Sequence, residues 1–466
     1  MQNQRPSQGS AAISARGGVS APRQSGAYTL GILVAIYAIS FIDRSILYVV
    51  APSVQADLKL NDTQLGLLSG LAFALFYATM SLPIARIAER TSRVQLMTGA
   101  LLLWSLMTGL CGAATKFWHL FLARLGVGLG EGTCTPCAQS IICDLYPPER
   151  RATALSIYAA GAPIGMMAGA IGGAIAASAL GWRGAFVAAA IPGIMVAFLF
   201  LFTVKEPRRG AREPGSYVDS ASPPSFPDVV RTLWRSPSFR HTTLGYAVGS
   251  IPGTAIHIFA VIFLVRAHGM SQVDAGVAYG LVAGIAGTIG VVLGGRITDY
   301  FCRRSVRAYG LVPAIAFLIL PPLLIAAFVQ ENLLVMTALI LIPSVIYIFN
   351  VGPSYAVTNN LVEPRMRATT NAMLLMIITF CGSAIGPALV GLASDHIASW
   401  SLRGDAGQCA AALQASAKIR IECAQAASDG LRYAMMAISL LYFWGAAHYF
   451  RLSSVISREL HEIKSR

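Results

Sequence analysis

Glu89-Arg90-Thr91-Ser92-Arg93 and Asp299-Tyr300-Phe301-Cys302-Arg303-Arg304 stand about 210 residues apart, each at the end of an apolar stretch long enough to cross a membrane. A second pair keeps nearly the same offset: Arg151-Ala152-Thr153 and Arg367-Ala368-Thr369 each open an apolar segment. The recurrence predicts a chain of two related, parallel halves, with each charged cluster held in water on the same side.

The composition agrees. Of 466 residues, 55% are hydrophobic and 12% charged, with mean hydropathy +0.62, whereas a soluble domain carries about 25% charge. A span needs roughly 20 apolar residues. Twelve can be placed, near 28–50, 63–85, 95–115, 117–143, 152–180, 182–204, 241–266, 275–297, 308–329, 332–358, 367–393 and 431–451. The expected fold is an all-α membrane protein with twelve transmembrane helices in two six-helix bundles. Its parts are a disordered cytoplasmic tail (1–26), an N-terminal bundle (27–204), a cytoplasmic linker (205–240), a C-terminal bundle (241–451) and a cytoplasmic tail (452–466). Two parallel halves in a membrane imply a secondary transporter whose substrate crosses between them.

Most lysines and arginines fall on the side of the N-terminus, which orients both termini to the cytoplasm of a multi-pass inner (plasma) membrane protein. This bias accounts for most of the net charge of +14, so nucleic-acid binding is excluded as its cause. Residues 1–26 lack an apolar core and do not form a secretory signal. In the linker, Phe226 to Trp234 reads as a short interfacial helix, because an apolar face with Arg231 and Arg235 suits the headgroup region. The loop from His396 to Gly430 is expected outside, where its Cys409 and Cys423 can oxidise to a disulfide. Cys134-Thr135-Pro136-Cys137 has the spacing of a redox or metal pair, but it sits in an apolar span without His or acidic partners, so packing is expected. No metal, cofactor or catalytic constellation is expected.

Ionisable side chains at membrane depth are costly and usually face a cavity. Asp43, Arg44, Arg124, Glu131 and His257 stand out. Asp43 lies ~22 Å from the inner start of its span, and Arg124 ~10 Å from the outer start of its own, at 1.5 Å per residue. In a core of ~30 Å the two reach a similar level. Glu131 follows Arg124 by two helical turns and projects from nearly the same face. Burial and a nearby arginine act on a carboxyl in opposite senses, so Asp43 and Glu131 are candidates to exchange a proton. The alternative is a static ion pair joining spans one and four. Tyr347, Asn350, Ser354 and Tyr355 could line the same cavity, or simply pack. Glu89, Arg90, Arg93, Asp299 and Arg303 form an expected cytoplasmic gate.

The run Pro83-Ile84-Ala85-Arg86-Ile87-Ala88-Glu89-Arg90-Thr91-Ser92-Arg93 resembles the loop signature of the major facilitator superfamily, with Ala85 in place of glycine and Glu89 in place of aspartate. The second copy keeps Gly295 and Asp299 but has Tyr300 where arginine is common. Phe41-Ile42-Asp43-Arg44, Arg124-Leu125-Gly126-Val127-Gly128-Leu129-Gly130-Glu131-Gly132, Gly181-Trp182-Arg183 and Lys205-Glu206-Pro207-Arg208-Arg209-Gly210 resemble the spinster family. That resemblance implies a cavity between two bundles and alternating access by rocking. It implies Asp43 and Glu131 as protonation sites, and Arg44 and Arg124 as their partners or as contacts to a substrate headgroup. It also implies lysophospholipids or sphingosine phosphate, single-chain amphiphilic lipids, as the substrate class.

The expectation is therefore a proton-coupled lipid transporter, with the lipid bilayer, an amphiphilic lipid and protons as partners and a monomer sufficient. In its cycle, protonating Glu131 frees Arg124 for the headgroup. The alternatives are a transporter of a soluble organic anion or drug, and a non-transporting lipid sensor; an enzyme is not expected.

Overall fold

The computed structural model describes residues 26–208, 226–362, 366–402 and 417–464. The tail before residue 26, the Pro223-Pro224 stretch of the linker and Cys409 lie outside the described residues, as do the side chains of Glu89 and Arg90. The regular elements among the described residues are helices.

In the first half, α1 (Gly26–Leu58) crosses once. The second pass joins α2 (Asp62–Gly66), a π-helical turn (Leu67–Leu71) and α3 (Ala72–Arg90). The third is α4 (Arg93–Cys111), and the fourth joins α5 (Phe117–Glu131) to α6 (Cys134–Leu145). The fifth and sixth come from α7 (Pro148–Ala159) and the long α8 (Gly161–Thr203).

After α9 (Phe226–Arg235), the second half begins with α10 (Pro237–His268). The next pass joins α11 (Gln272–Leu281), a π-helical turn (Val282–Ala286) and α12 (Gly287–Cys302). It continues with α13 (Ala308–Val329), then α14 (Leu333–Ile346) with α15 (Val351–Asn360). The last two passes are α16 (Arg367–Thr379) leading through a π turn (Phe380–Ile385) into α17 (Gly386–Ser401), and α18 (Ala417–Ser439) with α19 (Leu441–Lys464).

Among the described residues, eight helical runs are each long and apolar enough to cross a membrane, and one of them, Thr153–Thr203, has 51 residues. That run turns at Gly181 and holds two passes. The helical segments 62–90, 117–145 and 417–464 supply the remaining three of the twelve passes. At Gly181 φ is 71°, a conformation that costs glycine little and a residue with a Cβ much more.

The two residues after the turn explain the rest of that motif. Trp182 donates to Asp57 at 3.1 Å, and Arg183 stacks over the Trp182 ring at 4.1 Å while donating to Asp57 and to the Ala114 carbonyl. Gly-Trp-Arg thus clamps the start of the sixth pass to the end of α1.

The opposite end of the same bundle has its own clamp. Glu206 accepts from Ser92 Oγ (2.9 Å), Arg93 Nε (2.6 Å) and the Val94 N–H (2.9 Å). Arg93 is buried and also donates to Ser140 and Asp144. Arg93 therefore ties the segment after the sixth pass to the third and fourth. Glu206→Gln replaces charge-assisted bonds with neutral ones and is expected to cost roughly 1.5–3 kcal/mol. A lower melting temperature of the purified protein, with Ser140→Ala nearly unchanged, is the expected result; equal melting of Glu206→Gln and wild type would contradict it.

The repeat seen in the sequence recurs in the helices. π turns interrupt the second pass at Leu67–Leu71 and the eighth at Val282–Ala286. Each is beside a contact between the halves: a Cβ on Gly70 would sit 2.1 Å from the Ser383 carbonyl oxygen, and one on Gly284 would sit 2.8 Å from Met167 Cβ. Pass two thus meets pass eleven as pass eight meets pass five.

The apolar cores follow the same division. One gathers Ile36, Leu101, Trp104 and Phe200, and another Phe259, Phe317, Tyr442 and Tyr449; a third joins Val49 and Ala174 to Val261 and Tyr279 across the halves. Helix α9 buries Val229 and Leu233 against Phe239 and Met366 and leaves Trp234 exposed, as an interfacial helix does. Residues 452–464 continue α19 instead of forming a separate tail.

Candidate functional site

Four of the five membrane-depth charges meet between α1 and α5. Asp43, Arg124 and Glu131 are each at most 1% exposed. Arg44 donates to Glu131 Oε2 from Nε at 2.8 Å and approaches it from Nη2 at 2.7 Å. Its guanidinium lies 4.8 Å from the Phe41 ring centroid, 4.4 Å from Phe73 and 4.9 Å from Tyr77. Removing an ion from water costs several kcal/mol, and cation–π contacts return ~0.5–2 kcal/mol each. Three rings and a carboxylate together are thus the right order to hold this cation. Its side chain remains 18% exposed while Glu131 is fully enclosed.

Arg124 lies 5.5 Å from the same Phe73 ring. Among the described residues, its three guanidinium nitrogens are buried without a hydrogen-bond partner, as are both carboxylate oxygens of Asp43 and Oε1 of Glu131. A buried polar atom left unpaired costs ~1–3 kcal/mol. This cluster is therefore half satisfied, the condition in which a proton or an anion gains most by arriving. Gly128 makes the geometry accessible: a Cβ there would sit 2.3 Å from the Phe73 carbonyl oxygen, so only glycine lets α5 bring Arg124 and Glu131 against Phe73.

One expectation is corrected here. The cycle in which Glu131 releases Arg124 assumed that these two pair, but Glu131 is bound to Arg44. Seven residues on one helix set the two Cα atoms ~10.5 Å apart along its axis; Arg124 is within electrostatic range of Glu131 but makes no hydrogen bond to it, while Arg44 reaches Glu131 from the facing helix.

The cavity candidates divide. His257 and Tyr347 line a cavity of about 200 Å³ inside the second half, otherwise walled mainly by apolar groups including Leu324, Phe328 and Met336. Tyr279 Oη lies 3.3 Å from His257 Nδ1. Tyr355 is half-buried and in electrostatic range of Tyr77, across the interface from the Arg44 cage. Asn350 does not line the cavity: it is 3% exposed and donates to Tyr449 Oη at 3.5 Å, and Ser354 bonds the same hydroxyl at 2.8 Å. Both hold the second bundle together, because Tyr449 on α19 needs polar partners where it is buried.

Of the gate residues, Arg93 is bound within the first half as described above, and Asp299 and Arg303 are exposed at the end of α12. Arg304 stacks over Tyr300 at 5.2 Å and donates to its hydroxyl. Cys134 and Cys137 are buried and free. Cys423 is disulfide-bonded.

A dense polar contact between the halves involves residues that sequence reasoning passed over. On the face opposite the termini, Arg266 donates to both carboxylate oxygens of Asp62 at 2.8 Å. Gln55 donates to Oδ1 at 2.8 Å and Ser394 to Oδ2 at 2.6 Å. Asp395 reciprocates by accepting from the Asp62 and Thr63 N–H groups at 3.0 and 2.8 Å and from the Thr63 hydroxyl at 2.6 Å. A carboxylate of the second half thus caps the first turn of α2 in the first. Asp62 and Arg266 lie at helix ends, where a charge is unremarkable, and Asp395 sits in the last two turns of α17, so only the facing helix reveals their pairing.

With this geometry in hand, the chain can be set beside known proteins. The family model described as Major Facilitator Superfamily matches residues 33–401. An MFS-type efflux pump of Mycolicibacterium smegmatis is 33% identical over 383 residues, covering 81% of this chain and 86% of that one. Human protein spinster homolog 1 is 27% identical over 404 residues, covering 80% and 73%. A crystal structure of a bacterial homologue of the human lysosomal transporter Spinster, inward-facing and unoccupied, superposes with TM-score 0.86 at 32% identity, covering 93% of this chain and 98% of that one. The chain belongs to the Major Facilitator Superfamily, and within it to the spinster proteins, and is a multi-pass membrane transporter and not an enzyme.

Proposed function

We propose that the protein moves a single-chain amphiphilic lipid, such as a lysophospholipid, by proton-coupled alternating access, with the headgroup at Arg44 and Arg124 and the chain directed toward the second half. The observation that carries this reading is a graded path. Tyr48 of α1 is in electrostatic range of both Arg44 and Arg124, and of Tyr279. Tyr279 touches His257, which lines the apolar cavity ending at Leu324, Phe328 and Met336. A head with charge and a tail without it fit the two ends of such a path; a small soluble acid uses only one.

Arg124 is the headgroup contact in this reading, since its guanidinium nitrogens have no hydrogen-bond partner among the described residues, and Asp43 and Glu131 carry the protons. The closed Asp62–Arg266 face and the likeness to an inward-facing spinster homologue support an inward-facing state. The linker from 205 to 240 would let two bundles rock as units, and the basic bias places both termini in the cytoplasm at the inner membrane. A monomer suffices. Export of a soluble organic anion or drug is the second reading, favoured by the efflux pump among the relatives.

The test is movement of a labelled lysophospholipid in proteoliposomes under an imposed pH gradient. Unlabelled lysolipid is expected to compete and a water-soluble organic acid of equal charge is not. Leu324→Trp, which fills the cavity, is expected to slow the longest-chain substrate most. Equal competition by the soluble acid, with Leu324→Trp indistinguishable from wild type, would sink the lipid assignment in favour of the second reading.

A further inference from the structure

A separate cluster lies on the rim of the second half, toward the face that carries the termini. His241 of α10 and His448 of α19 place their Nδ1 atoms 3.1 Å apart. In the neutral pair one Nδ1–H bridges the rings, so the accepting ring carries its proton on Nε2, a donor directed away from the bridge. Neither Nε2 has a hydrogen-bond partner among the described residues. Arg240 and Arg451 are exposed and in electrostatic range of His241, and the charged groups acting on this pair are those two arginines.

The chain around the pair is graded as a lipid leaflet is. Leu440, Trp444, His448 and Arg451 recur at helical spacing and form one stripe along the last pass. Leu440 is 48% exposed and Trp444 57%, and the Trp444 ring lies 6.2 Å from that of His448. Leu244, one turn beyond His241, is 40% exposed. The stripe therefore runs from an apolar surface through an interfacial tryptophan to imidazole and then guanidinium. From Leu440 to Arg451 it covers ~16 Å, about half a hydrocarbon core of ~30 Å. That is the profile of one leaflet, apolar chains below and an anionic phosphate above.

We propose that Arg240, His241, His448 and Arg451 form a headgroup site for an anionic phospholipid of the leaflet on the terminal face, its acyl chains lying along Trp444, Leu440 and Leu244. The site is on the outer wall of the bundle, apart from the charges between α1 and α5, so it binds a resident lipid and does not depend on the transported substrate.

Native mass spectrometry of the full-length protein tests this, with phosphatidylglycerol, phosphatidylcholine and inorganic phosphate as probes. Phosphatidylglycerol is expected to be retained about tenfold better than phosphatidylcholine. Arg451→Gln with His448→Leu is expected to remove that preference while leaving phosphatidylcholine retention unchanged. Arg240→Gln, at an exposed position, is expected to lower it severalfold and serves if the double variant does not fold. Equal retention of the two lipids, an unchanged preference in the variants, or displacement of phosphatidylglycerol by equimolar inorganic phosphate would each overturn the proposal.

Discussion

Asp62→Asn is expected to open the face opposite the termini. The substitution keeps the shape of the side chain but removes the charge that faces both Arg266 nitrogens, and it places an amide NH₂ where the carboxylate accepted bonds from Arg266, Gln55 or Ser394. Breaking one side of a buried pair costs about 3–5 kcal/mol. Asp62 has 5% of its side chain exposed but Arg266 has 25%, so the lower end, ~3 kcal/mol, is the fitting estimate, on the order of a hundredfold in the equilibrium between closed and open forms. Labels at the exposed Lys59 and Trp400 would report it as a longer distance population in electron–electron resonance. Arg266→Gln should do the same, and Asp395→Asn less, because its partners are backbone groups that water can satisfy. A distance distribution unchanged in both Asp62→Asn and Arg266→Gln would show that these bonds do not hold the halves together.

The same residue decides where protons can act. Asp62 is the first residue of α2, just ahead of the apolar stretch that begins at 63, and although burial opposes its charge, the Arg266 guanidinium and the Ser394 and Gln55 bonds hold its carboxyl below the usual carboxylate range. A lowered value means that its contribution to closure is fully present above the ordinary carboxylate pKa and is lost only as pH falls through the lowered one. Mild acidification of that face therefore leaves the contact intact. The same label pair should give superimposable distances at pH 7.5 and pH 5.5, which moves any response to a physiological proton gradient to other groups.

Those groups were readable in the sequence because an ionisable residue in an apolar run is conspicuous by itself. Asp43, Arg44, Arg124 and Glu131 needed no knowledge of packing to be singled out, and the seven-residue spacing already placed Arg124 and Glu131 on one face. Their pairing was not readable. Whether Glu131 meets Arg124 or Arg44 depends on the rotation and depth of α1 against α5, which Gly128 and Phe73 fix in three dimensions. Asp62, Arg266 and Asp395 escaped for the converse reason: each is an ordinary charge at or just outside the edge of an apolar stretch until the three are brought to one point. Asn350 looked like a cavity residue because it is polar in a span, and Tyr449, 99 residues away, is what claims it. The two halves were legible from repeated charges, and the π turns at 67–71 and 282–286 were not, since a π turn leaves no residue signature in an apolar run.

Glu131→Gln is expected to uncouple transport from the pH gradient. Among the described residues, Glu131 is the carboxylate bonded to the Arg44 guanidinium, and the rings of Phe41, Phe73 and Tyr77 lie against that cation whether or not the carboxylate is charged. Protonating Glu131 would therefore remove the anion without dispersing the cation, leaving Arg44 positive, partly exposed and open to a phosphate. Glutamine imitates the protonated state permanently. In the proposed cycle headgroup binding should be kept or strengthened, while the step that would expel the headgroup, recharging of Glu131, would be missing. Charge-assisted bonds of this kind are worth ~1.5–3 kcal/mol, so gradient-driven turnover should fall by roughly ten- to hundredfold, with apparent substrate affinity unchanged or higher. Arg44→Gln should instead weaken binding itself, since it removes the cation and leaves Glu131 buried without a partner. The discriminating measurement is the pair of variants in the same proteoliposomes, reading turnover and affinity separately. Wild-type gradient-driven turnover in Glu131→Gln would remove this carboxylate from the coupling, and Asp43, whose two oxygens are buried without a hydrogen-bond partner, would be the group to examine through Asp43→Asn.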